Sequence, residues 1–148
     1  PFGIQAIDSK IFVAYAMQDA DKHDDVPGAG LGVIDVFSTS GQFIQRFATG
    51  GPLNAPWGMA LSPRDFGPFN NAVLIGNFGD GTIHAFDPNT GRLIGTLRHA
   101  DGTAIVEPGL WGISFGNGLN DQPANTLFFA AGPNDEADGV YGRIDIGR

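Results

Sequence analysis

An all-β fold built from three copies of one unit is the architecture this sequence predicts, and three observations predict it. An aromatic-Gly-aliphatic triplet recurs at Phe2-Gly3-Ile4, Trp57-Gly58-Met59 and Trp111-Gly112-Ile113, its openings 55 and 54 residues apart. Short apolar runs follow each triplet in the same order, and no segment carries a sustained helical period. The 23 glycines and 10 prolines fall largely between those runs, where tight turns need them. A repeat near 50 residues with several strands per copy is the mark of a β-propeller blade. The units span 1–55, 56–109 and 110–148, four strands each except the third, which lacks its outer strand. The expectation is therefore half of a six-bladed ring.

Each element follows from its own residues. Unit one places strands at 2–7, 11–16, 31–37 and 43–47, of which Ile11-Phe12-Val13-Ala14-Tyr15 is rich in β-branched and aromatic side chains. Unit two repeats them at 57–61, 72–76, 81–86 and 92–97, and unit three at 111–115, 126–131 and 140–146. The third strands align residue for residue as Gly32-Val33-Ile34-Asp35, Gly81-Thr82-Ile83-His84 and Gly139-Val140-Tyr141-Gly142. Hairpin turns follow the first two, Ser38-Thr39-Ser40-Gly41 and Asp87-Pro88-Asn89-Thr90-Gly91. Proline presets φ there, Asp and Asn bond their own backbone, and glycine takes positive φ.

Bulk properties exclude several function classes. With 42% apolar and 16% charged residues, the chain is globular rather than disordered. A net charge of −8, with eight scattered basic residues, speaks against nucleic acid and against an anionic membrane surface. No apolar run approaches the roughly 20 residues that cross a bilayer, so no transmembrane segment is expected. The absence of cysteine removes disulfides and thiolate metal sites without assigning a compartment. A chain that opens at Pro1 without methionine reads as a piece of something longer.

The incomplete third unit sets an expectation about partners. Units one and three would each leave an apolar blade face uncovered, and the third unit would leave a strand edge unpaired. The ring would be completed by a missing half-propeller, by a second copy of the chain, or by docking into a larger assembly.

The Pro-x-Gly-aliphatic openings, Pro1-Phe2-Gly3-Ile4 and Pro56-Trp57-Gly58-Met59, resemble NHL-type propeller repeats. The string from Tyr15 to Asp25 resembles more closely a bacterial family of uncharacterised secreted six-bladed propellers, some with PEP-CTERM sorting tails. Gly51-Pro52-Leu53-Asn54-Ala55-Pro56, Gly76-Asn77-Phe78-Gly79-Asp80-Gly81 and Asn134-Asp135-Glu136-Ala137-Asp138-Gly139 extend the likeness over essentially the whole chain. The resemblance implies that these residues form the C-terminal half of such a ring. It also implies export to the periplasm, the cell surface or the medium of a bacterium. It implies no chemistry.

The candidate site residues lie mainly in the loops between second and third strands. Those loops hold Asp19, Asp21, Asp24 and Asp25 in unit one, Asp80 in unit two, and Asp135, Glu136 and Asp138 in unit three. In a blade they share one rim, where crowded carboxylates repel unless a cation or water relieves them. Asp19, Asp21, Asp24 and Asp25 form the candidate calcium loop, since calcium takes six to eight oxygens. The EF-hand order is not met, because His23 occupies the third alternate position. An irregular loop of that length is expected to need something to order it.

Trp57 and Trp111 open the innermost strands and stand as a candidate binding platform at the channel mouth, against the plainer role of wedging between blades. Asn54 and Glu107, each just before a repeated tryptophan, are the alternative channel site. No Gly-x-Ser-x-Gly nucleophile elbow occurs. The expected function is a secreted or surface-exposed, non-catalytic binding or scaffolding module, with calcium as the one candidate ion. The alternatives are a metal-dependent lactonase-like hydrolase working in the channel and a docking subunit.

Overall fold

A computed structural model describes residues 1–147. Eleven strands and one short 3-10 turn at Gly67–Phe69 make up the regular structure. The first sheet contains β1 (Gly3–Ile7), β2 (Lys10–Ala16), β3 (Gly32–Ser38) and β4 (Phe43–Thr49). The second contains β5 (Pro56–Leu61), β6 (Val73–Asn77), β7 (Ile83–Phe86) and β8 (Leu93–Thr96). The third contains β9 (Leu110–Phe115), β10 (Leu127–Ala131) and β11 (Val140–Ile144). Every sheet is an antiparallel meander with its strands in chain order. The sequence placed all eleven strands within a few residues.

The sheets pack face to face, and burial shows which lies in the middle. β6 and β7 are buried at every position, so Val73-Leu74-Ile75 is apolar without interruption rather than alternating. One core lies between the first and second sheets, with Phe12, Ile34, Val36, Phe47, Met59, Val73 and Ile75. The other lies between the second and third, with Leu74, Ile83, Ala85, Leu110, Ile113, Leu127 and Phe129. Val73 and Ile75 thus face one neighbour and Leu74 the other, as strand pleating requires. Each large side chain so buried contributes about 1.5–3 kcal/mol.

The first strands of the three sheets stand side by side, β1 against β5 and β5 against β9. The repeated glycines make that approach possible. A Cβ on Gly3 would collide with the Trp57 carbonyl, and one on Gly58 would lie 2.6 Å from the Trp111 carbonyl oxygen. Gly112 holds the equivalent place in the third sheet and has no atom within 4 Å of its Cβ position.

Candidate functional site

Where the first strands meet, the structure opens a groove of about 670 Å³. Its apolar wall is Phe2, Trp57 and Phe78, with Met17 and Ala16 beside them. Phe2 and Trp57 have ring centroids 4.7 Å apart and tilted by 50°. Phe78 lies 5.9 Å from Phe2, edge-on at 81°, and 6.0 Å from Trp57 at 51°. Three rings from the first and second sheets therefore form one aromatic corner. The polar wall is Asp24, Asp25 and His23 from the β2–β3 loop, together with Asp135 and Glu136 from the β10–β11 loop. Carboxylates from the first and third sheets meet here, with no lysine or arginine in the lining.

The β2–β3 loop is ordered by its own backbone. Gln18 bridges Asp25, Val26 N–H donates to the Met17 carbonyl at 2.8 Å, and Asp19 N–H donates to the Asp24 carbonyl at 3.0 Å. The Asp19 carboxylate caps the turn by accepting His23 N–H at 2.8 Å. The ordering expected of a bound cation is thus supplied by a small polar hairpin. Among the described residues, no group of three or more His, Cys, Asp and Glu side chains is arranged to hold a metal ion. Asp19 is spent on its own turn, and Asp24 and Asp25 belong to the groove.

Asp25 has one carboxylate oxygen buried with no hydrogen-bond partner. Burial pushes its carboxyl above the usual range; its own backbone N–H opposes that, and Asp24 and Glu136 add to it. Across the groove, Asn134, Asp135 and Glu136 take φ of 57°, 52° and 63°. Three successive left-handed residues cost about 1–2 kcal/mol each outside glycine. Backbone bonds from Glu136 to Gly132 and from Ala137 to Asn134 hold the turn, and the Trp111 indole N–H donates to Glu136 Oε1 at 2.7 Å. Trp111 packs over Gly132 and lies outside the groove; Trp57 lies in it.

Of the other predicted residues, Asp21 stays exposed outside the groove, while Asp80, Asp138 and Asn54 are engaged by neighbouring protein groups. Asp80 accepts from the Thr82 hydroxyl at 2.6 Å and from Asn54 Nδ2 at 3.1 Å, and Asp138 accepts from Asn134 Nδ2 at 2.6 Å. The other amide atom of Asn54 accepts Gly28 N–H at 2.6 Å, so its side chain ties the β2–β3 loop to the second sheet. Fully buried Asn77 accepts Asn54 N–H and donates to the Pro52 carbonyl at 2.8 Å. Glu107 is half-buried; burial raises its carboxyl, His99 opposes that, and it does not line the groove. His84 is sealed between the hydroxyls of Thr82 and Thr96 at 2.8 and 2.9 Å. Sequence reading missed Phe2 and Phe78 as groove residues. The one available signal was that Phe2 holds the place of Trp57 in the repeat.

No protein-family model matches the chain. It is similar to three uncharacterised proteins of Acanthamoeba polyphaga mimivirus. One is 34% identical over 145 residues, covering 97% of this chain and 35% of the relative. The second is 35% identical over 115 residues, 77% of this chain and 22% of the relative. The third is 33% identical over 147 residues, 97% of this chain and 37% of the relative. The chain thus spans little more than a third of these relatives at most. These matches overturn the resemblance to secreted bacterial NHL-like propellers, since the relatives are viral and no such bacterial family is indicated. The glycine of the Pro-x-Gly-aliphatic openings meets a packing demand, since a Cβ on Gly3 or Gly58 would strike the neighbouring strand, so that part of the likeness reports packing rather than lineage. Among the described residues no helix is long and apolar enough to cross a membrane.

Proposed function

We propose that this chain is a non-catalytic binding module, and that its three sheets are successive blades of a β-propeller, half of a six-bladed ring, with the ligand site at the mouth of the axis. The groove carries the reading, because it draws aromatic and acidic side chains from all three sheets into one concave site of ligand size. Side-by-side first strands and the repeated glycine contacts support the propeller, and the open side of Gly112 supports a further unit packing there. A non-catalytic role is favoured over hydrolysis at the alternative channel site because neither Asn54 nor Glu107 lines the groove. Asn54, the amide of the alternative channel site, has both side-chain polar atoms engaged by protein partners. Calcium, secretion and docking into a larger assembly remain compatible roles for such a module.

The test is an amide NMR titration of the chain with choline, lysine, glucose, acetate and calcium chloride, paired with turnover assays on lactones and phosphoesters. At least one compound is expected to move the groove resonances, with no metal-dependent turnover. Hydrolysis, or a groove that no compound perturbs, defeats the reading.

A further inference from the structure

The chemistry of the groove narrows its ligand, granted that it is a binding site. Four carboxylates line it, from Asp24, Asp25, Asp135 and Glu136, and no lysine or arginine joins them. The two ion pairs among the described residues, Arg46–Asp35 and Arg143–Asp145, lie elsewhere. Carboxylates from loops more than a hundred residues apart in sequence thus share one groove, where the four acids outnumber the other ionisable lining residues, Pro1 with its amine and His23. Glu136 is tied to a neutral donor, the Trp111 indole. The corner of Phe2, Trp57 and Phe78 lines the same groove.

An acidic wall alone would suit any hydrated cation, and an aromatic wall alone any apolar or sugar ring. Their combination selects a cation with an apolar skin. Aromatic rings attract such a cation through their quadrupoles, most strongly where it carries little water to lose. The carboxylates supply long-range attraction without requiring N–H donors at fixed angles. We infer that the groove binds an alkylammonium group, a quaternary or methylated amine.

The inference has a clean probe pair, choline and its uncharged carbon isostere 3,3-dimethylbutan-1-ol. Both are titrated into the labelled chain, following the Trp57 indole and the amides of Phe78, Asp25 and Glu136. Choline is expected to shift them saturably, and the isostere to bind more weakly by about threefold or more. The variant Asp24→Asn/Asp135→Asn tests the charges without endangering the fold. Both residues are exposed, and asparagine tolerates the positive φ of Asp135 at least as well as aspartate. It is expected to weaken choline by about threefold or more, and added salt to do the same.

Equal shifts by choline and the isostere overturn the inference and leave the groove reading standing. Silence with choline while glucose or acetate binds does the same. Silence with every compound overturns both. A peptide bearing trimethyllysine separates the sources. Tighter binding than choline supports an alkylammonium presented on a protein, and weaker binding supports a free small amine.

Discussion

Replacing Gly58 with alanine should pry the second sheet from the third. The new Cβ would sit 2.6 Å from the Trp111 carbonyl oxygen, 2.9 Å from the Ile113 amide nitrogen and 3.1 Å from Ile113 Cγ1. Two of these three atoms are backbone, so no rotamer change relieves the clash and β5 must move away from β9. Overpacking of this kind costs about 1–3 kcal/mol, and rigid neighbours place it at the upper end. Alanine recovers about 0.5–1 kcal/mol of the entropy that glycine loses in a strand. The net destabilisation is about 2 kcal/mol, or roughly 4–8 °C in melting temperature for a chain of this size. Thermal unfolding followed by circular dichroism measures it, with Gly112→Ala as the matched control. Gly112 has the same place in the repeat and nothing within 4 Å, so its alanine variant should melt at or slightly above the parent. A Gly58→Ala protein that melts with the parent, or a Gly112→Ala protein as damaged as Gly58→Ala, would refute the reasoning.

Arg46 grips buried Asp35 with two bonds of 2.8 and 3.2 Å, so Arg46→Met should cost about 1–3 kcal/mol in urea unfolding by stranding the carboxylate. Asn77→Ala strips hydrogen bonds from the Pro52 carbonyl and Asn54 amide in a site with no water access, and a loss of about 2–4 kcal/mol is expected by the same measurement. Burial holds His84 below the ordinary imidazole range, so the unfolded chain takes up its proton first as pH falls. Its contribution to stability is therefore complete above about pH 6.5. It declines as pH drops from there through the lowered folded value, and a His84→Gln variant should lose that part of the pH slope in urea midpoints. Asp25 has the opposite sign: its raised carboxyl favours the fold most below the usual carboxylate range, and that advantage disappears as pH rises through the folded value. Asp25→Asn should remove this dependence.

How much was legible in the sequence depended on how local the signal was. The strands were legible because turn chemistry and apolar runs are local, and Asp87-Pro88-Asn89-Thr90-Gly91 forms the hairpin its residues demand. The glycine triplet was legible as a repeat, though its meaning as a carbonyl socket needed the neighbouring strand. The β2–β3 loop was not legible. Its hairpin pairs Gln18 with Asp25 among polar residues that alternate with nothing, so an acidic string looked like a search for a cation. Asn54 shows the same limit: an amide that seals a buried turn and one that ligates an ion have the same sequence appearance. The groove was legible only in parts, since Asp25 and Glu136 are neighbours solely because three sheets stack in order.

That stacking is the claim on which the groove depends, and a NOESY spectrum of the labelled chain tests it most directly. The account predicts strong cross-peaks between the ring protons of Phe2 and Trp57, whose centroids lie 4.7 Å apart, and weaker ones from both to Phe78. It also predicts a Trp111 indole proton protected by Glu136 that loses its protection in Glu136→Ala. Rings from the first and second sheets that show no mutual contact, in a chain that is otherwise folded, would contradict the account.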